Sequence, residues 1–147
     1  MPVKPVPEGY HTVTPYLVVP GAAGVIDFLK KAFGAEETTR MAGPDGKVAH
    51  AEVKIGDSIV MLGEASEQWQ PMPAMLYLYL PDVDAVYQRA LDAGGESVKK
   101  PENQFYGDRS AMVKDSAGNL WGIATHVEDV PPEEMEKRAT EAMKQSA

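Results

Sequence analysis

The sequence contains no cysteine. That removes disulfides, thiolate nucleophiles and every cysteine-based zinc or iron–sulfur site, and it fits a reducing compartment; a cytoplasmic location is expected. Clusters of basic residues are missing too. Lys and Arg number 14 against 22 Asp and Glu, a formal charge of -8, whereas nucleic-acid binding needs a concentrated Lys/Arg surface. No apolar run approaches the about 20 residues of a membrane helix. The opening MPVKPVPEGYHTVTPYLVV has one lysine, no long apolar run and three early prolines, unlike a secretory signal. Neither nucleic acid nor membrane is therefore an expected partner. Histidines are only three, His11, His50 and His126. A nucleophile elbow, a phosphate-cradling glycine loop, a dinucleotide fingerprint and a His-Glu zinc helix are all absent.

What is there is the material of one ordinary domain, with 147 residues, 44% of them hydrophobic. Its punctuation repeats. VVPGAAGVIDFLKKAFGAEE (18–37) is an extended run, a Pro-Gly break and a helical pattern, with Val25, Ile26, Leu29, Ala32 and Phe33 on one face and Gly34 as the stop. YLPDVDAVYQRALDAGGES (79–97) has the same order, with Val86, Tyr87, Ala90, Leu91 and Ala93 on one face, Asp82 as N-cap and Gly94-Gly95 as the stop. Pro20 and Pro81, Val25 and Val86, Ala32 and Ala93, and Gly34 and Gly95 each stand 61 apart. Three extended segments follow each helix, so each half reads β-α-β-β-β and the chain is α+β. Module one is expected at about 12–65, module two at about 74–126 and a C-terminal helix at about 131–145. In VAHAEVKI, alternation places Ala49, Ala51, Val53 and Ile55 on one face and Val48, His50, Glu52 and Lys54 on the other.

These two modules, with DFLKKAFGAEE, HAEVKIGDSIVML, LPDVDAVYQRALDAG and the closing YGDR and DSAGNLWGIATH, resemble the glyoxalase/bleomycin-resistance/extradiol-dioxygenase superfamily, also called vicinal oxygen chelate, and within it the PhnB-like branch. The resemblance spans roughly residues 12 to 126. It implies a cupped mixed sheet in each module, the two cups facing one another around a pocket, and a homodimer. In metal-dependent members it implies four ligands, from the first and last strand of each module, His or Gln and then Glu. Here those positions fall near Thr14, Met61, Met75 and Gly122. A hydroxyl, two thioethers and a missing side chain do not match a divalent ion that wants imidazole or carboxylate. Neither a metal nor another cofactor is expected.

The pocket candidates follow from alternation and from the repeat. Tyr77 and Tyr79, with Met75, alternate with Leu76, Leu78 and Leu80, so they face the cavity while the leucines face the helices. Tyr16 and Thr14 take the matching face of module one, with Met61, His50 and Glu52. Trp121 and Ile123 read as core, Trp69 either as a residue covering a pocket mouth or as hydrophobic packing against the neighbouring module or subunit, and His126 as a capping or surface residue. The repeat aligns Arg109 with Val48, on the face of His50, and aligns His50 with Ala111. There its guanidinium would grip a carboxylate or phosphate; the alternative is an ion pair with Asp108 or another surface acid.

The function expected is metal-free binding of a small, flat or partly apolar molecule, since some members of the family that it resembles sequester antibiotics unaltered. The net acidity suits a cationic one. The alternative is a divergent lyase, isomerase or dioxygenase-type enzyme of the same superfamily, with His50 or Glu52 as general base. No catalytic residue is assigned.

Overall fold

The computed structural model describes residues 2–146. Module one comprises β1 (Tyr16–Val19), α1 (Ala22–Phe33), β2 (Glu36–Ala42), β3 (Val48–Ile55) and β4 (Ser58–Glu64). Module two repeats it with β5 (Met75–Tyr79), α2 (Val83–Asp92), β6 (Glu96–Asn103), β7 (Asp108–Lys114) and β8 (Leu120–His126), and α3 (Pro132–Ser146) follows. Each module forms its own four-stranded sheet, ordered β1-β4-β3-β2 and β5-β8-β7-β6. Only β1·β4 and β5·β8 are parallel; the remaining pairs are antiparallel hairpins. This is the α+β, twofold β-α-β-β-β order that the repeat predicts, with the mixed sheet in each module that the resemblance implies.

The helices bury the faces that their spacing assigns. Val25, Ile26, Leu29, Ala32 and Phe33 of α1 and Val86, Tyr87 and Ala90 of α2 all lie in the core. Asp82 caps α2 by accepting from the Ala85 N–H at 3.3 Å. Gly34 ends α1 at φ 68, where an L side chain is strained. The two modules share one core. Helix α1 packs on α2, and the Phe33 ring lies 5.5 Å from the fully buried Trp121 of β8. At Gly95 a Cβ would stand 2.8 Å from the Ala90 carbonyl and 3.0 Å from Phe28, so the approach of α1 to the end of α2 excludes any larger residue.

Two departures from simple alternation decide which residues reach the outer faces of the sheets. In β3, Met41 pairs with His50 and Ala42 with Val48, so Ala49 is an extra residue. That bulge inverts the parity beyond it. Val48 is therefore buried and Ala49 exposed, the reverse of strict alternation. The second departure lies in the hairpin turns. Glu52 stands opposite Met61, and Met112 opposite Gly122. The repeat is thus 61 residues in the last strand but 60 in the strand before it, because the β7–β8 turn is longer than the Gly56-Asp57 turn. His50 has Ser110 as its counterpart, not Ala111, and a one-residue slip exchanges the faces of the strand.

The β7–β8 turn is organised by a buried carboxylate. Asp115 accepts from the backbone N–H groups of Ala117 at 2.9 Å and Asn119 at 3.0 Å, the Asn119 side-chain amide at 2.9 Å and the Trp121 indole at 2.8 Å. Asn119 in turn accepts from the Ala74 N–H at 2.9 Å, fixing the entry into β5. Replacing Asp115 by Ala strands the indole N–H and an amide in the core. We expect Asp115→Ala to cost about 2–4 kcal/mol in urea unfolding, since each buried group left unpaired costs about 1–3 kcal/mol; a loss under about 0.5 kcal/mol would refute this role.

Candidate functional site: polar networks on the outer sheet faces

The face of the first sheet away from the helices carries Tyr16, His50, Glu52, Met61 and Gly63. Its polar groups form a chain. The Tyr16 hydroxyl lies 3.2 Å from His50 Nδ1, and His50 Nε2 lies 2.9 Å from Glu52 Oε2. The other Glu52 oxygen accepts from the hydroxyl of Tyr10, which the N-terminal arm lays across this face. The Tyr10 phenol, and after it His50, hold the Glu52 carboxyl below its ordinary value despite burial. Tyr10 itself is pushed up by its bond to that carboxylate. An ionised Glu52 only accepts, so His50 Nε2 donates to it, and in the neutral ring Nδ1 is left to accept from Tyr16.

Two cavities flank the chain. One, of about 460 Å³, lies beneath the arm and includes Tyr10, Thr14, Glu52 and Met61. The other, of about 570 Å³, is lined by Tyr16, Val18, Ala49, Gly63, Trp69 and Met72, with Glu64 at its side. The linker between the modules reaches this second cavity because the Met72 N–H bonds to the Val18 carbonyl at 3.0 Å. Gly63 keeps its floor flat: a Cβ there would meet the Ala49 carbonyl at 2.8 Å and the Tyr16 hydroxyl at 3.2 Å. Glu64 is occupied at the start of α1, where it accepts from Gly21 N at 2.7 Å and Ala22 N at 3.1 Å.

The outer face of the second sheet carries Met75, Tyr77 and Tyr79, all exposed, around a carboxylate that alternation in the wrong register conceals. Asp108, only 2% exposed, accepts from Tyr77 at 2.8 Å, Tyr79 at 3.0 Å and His126 Nδ1 at 3.0 Å. Burial alone would raise its carboxyl, but the bonds from His126, Tyr77 and Tyr79 outweigh it and hold the group below its ordinary value. Tyr77 is pushed up by burial and by its bonds to Tyr106 and Asp108. Tyr79 is pushed up chiefly by its bond to Asp108. Where family metalloenzymes are implied to place a carboxylate, Gly122 lies under the Tyr77 ring, and a Cβ there would stand 2.6 Å from Tyr77 Cδ1.

The sequence-derived candidates thus fall into two groups. Thr14, Tyr16, His50, Glu52 and Met61 gather on the first face, and Met75, Tyr77 and Tyr79 on the second. Arg109 joins neither. It pairs with Thr125 across the sheet, whose hydroxyl accepts from Val83 N of α2, so it stands on the helix side. There it holds Asp84 of α2 through two bonds of 2.8 and 3.0 Å and Asn103 at 3.2 Å. The structure corrects its alignment with Val48 on the His50 face: the 60-residue spacing in this strand places it on the opposite face. Tyr10, Asp108 and His126 are the site residues that sequence reasoning passed over. Counting alternation from Met112 and Ser110 points to Asp108, whereas nothing local marks Tyr10. Among the described residues no three His, Asp or Glu side chains converge as metal ligands, and no helix is long and apolar enough to cross a membrane.

Two βαβββ modules, each with its own four-stranded mixed sheet, define the class; their outer faces carry separate networks, rather than two cups facing one pocket as the resemblance implies. The Glyoxalase/Bleomycin resistance protein/Dioxygenase superfamily model matches residues 10–123, and the chain belongs to that superfamily. It is similar to the uncharacterized protein Rv0887c of Mycobacterium tuberculosis, 38% identical over 135 residues, which cover 84% of this chain and 79% of the relative. Among solved structures it is similar to TioX from Micromonospora sp. ML1, with TM-score 0.64, 26% identity and coverage of 78% of this chain and 96% of TioX. It is also similar to TnmS3, an antibiotic binding protein from Streptomyces sp. CB03234, with TM-score 0.63, 25% identity and coverage of 79% and 95%.

The second network makes a pH prediction. His126 is pushed up first by Asp108 and then by Asp129, whose carboxylate lies 2.7 Å from Nε2. A folded-state value above the unfolded one stabilises the protein fully below the unfolded pKa of about 6.5 and ceases to as pH rises through the folded value. NMR titration should therefore find His126 above about 6.5, and Asp108→Asn should lower it. A His126 value unmoved by Asp108→Asn would sever this coupling.

Proposed function

We propose that this chain is a metal-free small-molecule binding protein whose ligand is flat and partly apolar. The observation that carries the reading is the 570 Å³ cavity on the first outer face. Trp69, Met72 and Tyr16 stay 64%, 65% and 50% exposed around it, while the helix side buries its apolar residues almost completely. A concave wall of exposed aromatic and thioether groups with a few polar atoms at one edge suits a small organic ligand. The likeness to TnmS3, an antibiotic binding protein, supports an antibiotic-like compound.

Residue chemistry supports the metal-free part. Thr14, Met61, Met75 and Gly122 stand where the family resemblance implies ligands, and they offer a hydroxyl, two thioethers and no side chain; these do not fit a hard or borderline divalent ion. The Tyr77 ring fills the space above Gly122 that a carboxylate would need. The exposed Met75, Tyr77 and Tyr79 support a homodimer in which a partner copy covers the second face and joins the two half-sites into one pocket. On this reading the chain is one domain, within the PhnB-like branch of the superfamily and in the cytoplasm.

A thermal-shift screen of planar aromatic metabolites and antibiotics tests the binding, since a ligand selective for the folded state raises the Tm. We expect at least one hit whose affinity falls roughly tenfold or more in Trp69→Ala, a loss of about 1.4 kcal/mol. Hits indifferent to Trp69→Ala would place the ligand elsewhere. Elemental analysis of protein purified without chelator should find no stoichiometric zinc, nickel, manganese or iron; one tightly held metal per chain would overturn the metal-free reading.

A further inference from the structure

The first outer face holds more than binding requires. Tyr16 is half exposed and lines the cavity, its hydroxyl 3.2 Å from His50 Nδ1, with His50 Nε2 fixed by Glu52 at 2.9 Å. That order is a hydroxyl beside one nitrogen of an imidazole and a carboxylate beside the other. It is the arrangement by which a general base activates a nucleophile. The carboxylate is itself held ionised by Tyr10 and His50. The missing side chain at Gly63 leaves room beside the Tyr16 oxygen, since even a Cβ there would lie 3.2 Å from it.

The tyrosines of the second face provide the contrast. Tyr77 and Tyr79 donate to a carboxylate, Asp108, which opposes loss of the phenolic proton. Tyr16 alone of the three is bonded to an imidazole. Tyr16 and Tyr77 occupy equivalent places, opposite Met61 and Gly122, so the difference comes from what stands behind the hydroxyl and not from strand position.

We infer that Tyr16 is a nucleophile activated by His50, with Glu52 as the positioning residue, and that the cavity beside Trp69 accepts aryl esters for acyl transfer. The Tyr16 oxygen forms a bond to the ester carbonyl carbon as its proton passes to His50 Nδ1. The bond to the aryloxide then breaks, and the aryloxide leaves with that proton. Water attacks the acyl-tyrosine, gives its proton to His50 Nδ1 and breaks the acyl–oxygen bond; the Tyr16 oxygen recovers the proton. Electrons and atoms balance without metal, oxidant or reductant. This inference rests on the proposed ligand face, but its test needs no ligand, so the two fail separately: one in the thermal-shift screen, the other in the labelling below.

The intact protein is treated with p-nitrophenyl acetate, and hydroxylamine-labile acetyl groups are mapped to tyrosines by peptide mass spectrometry over time. Exposure alone would favour Tyr79, 62% exposed against 50% for Tyr16. A base at work predicts acetylation of Tyr16 roughly 10- to 100-fold faster than of Tyr79. His50→Gln should bring the Tyr16 rate down to that of Tyr79. Glu52→Gln should slow it as well and move the His50 proton from Nε2 toward Nδ1, read from imidazole 15N shifts. The comparison within the unmodified protein stands even if a variant folds poorly. Acetylation of Tyr16 no faster than of Tyr79, or a rate unchanged in folded His50→Gln, overturns the proposal.

Discussion

A single buried carboxylate ties the two halves of this molecule together. Asp115 gathers the β7–β8 turn, the Asn119 amide and the Trp121 indole. Through Asn119 it sets the start of β5, and through Trp121 it presents the surface on which Phe33 of α1 rests. The helix-side core of both modules is thus continuous with this turn. Once that core is satisfied, every remaining strand residue has one place to go, the outer face. The exposed Tyr16, Met75, Tyr77 and Tyr79 follow from the closure of the core on the other side of each sheet.

Side-chain parity then determines the chemistry. A strand residue points to one face or the other with a period of 2, and the molecule changes that count twice. The bulge at Ala49 buries Val48 without disturbing His50 and Glu52. The longer turn before β8 brings Asp108 onto the outer face and sends Arg109 to α2. A single residue in a turn thereby assigns an anion, rather than a cation, to the second face.

Much of the fold is legible in the sequence because it rests on local signals: helical spacing from Val25 to Phe33, the Asp82 cap, the glycine stops and the 61-residue repeat. The faces of β1, β5 and β8 are legible for the same reason. What escapes reading depends on non-local register. A uniform repeat misplaces Arg109 because a turn interrupts it, and the same slip hides Asp108. Tyr10 reaches Glu52 across 42 residues of chain from an arm without periodic pattern, so no local signal announces it. His126 reads locally as a surface residue beside Asp129, and only the β7–β8 pairing shows it opposite Asp108.

Glu64 lies against the cavity beside Trp69, yet both its oxygens are committed to the first N–H groups of α1. The helix end offsets about half of that carboxylate's charge and occupies both of its oxygens, so neither is open to a ligand. Recognition there must come from contact and desolvation, which leave no counterions to be released. Affinity for an uncharged aromatic guest should accordingly be nearly indifferent to ionic strength, unlike capture by an anionic surface, which Debye screening weakens over about 8 Å at physiological salt.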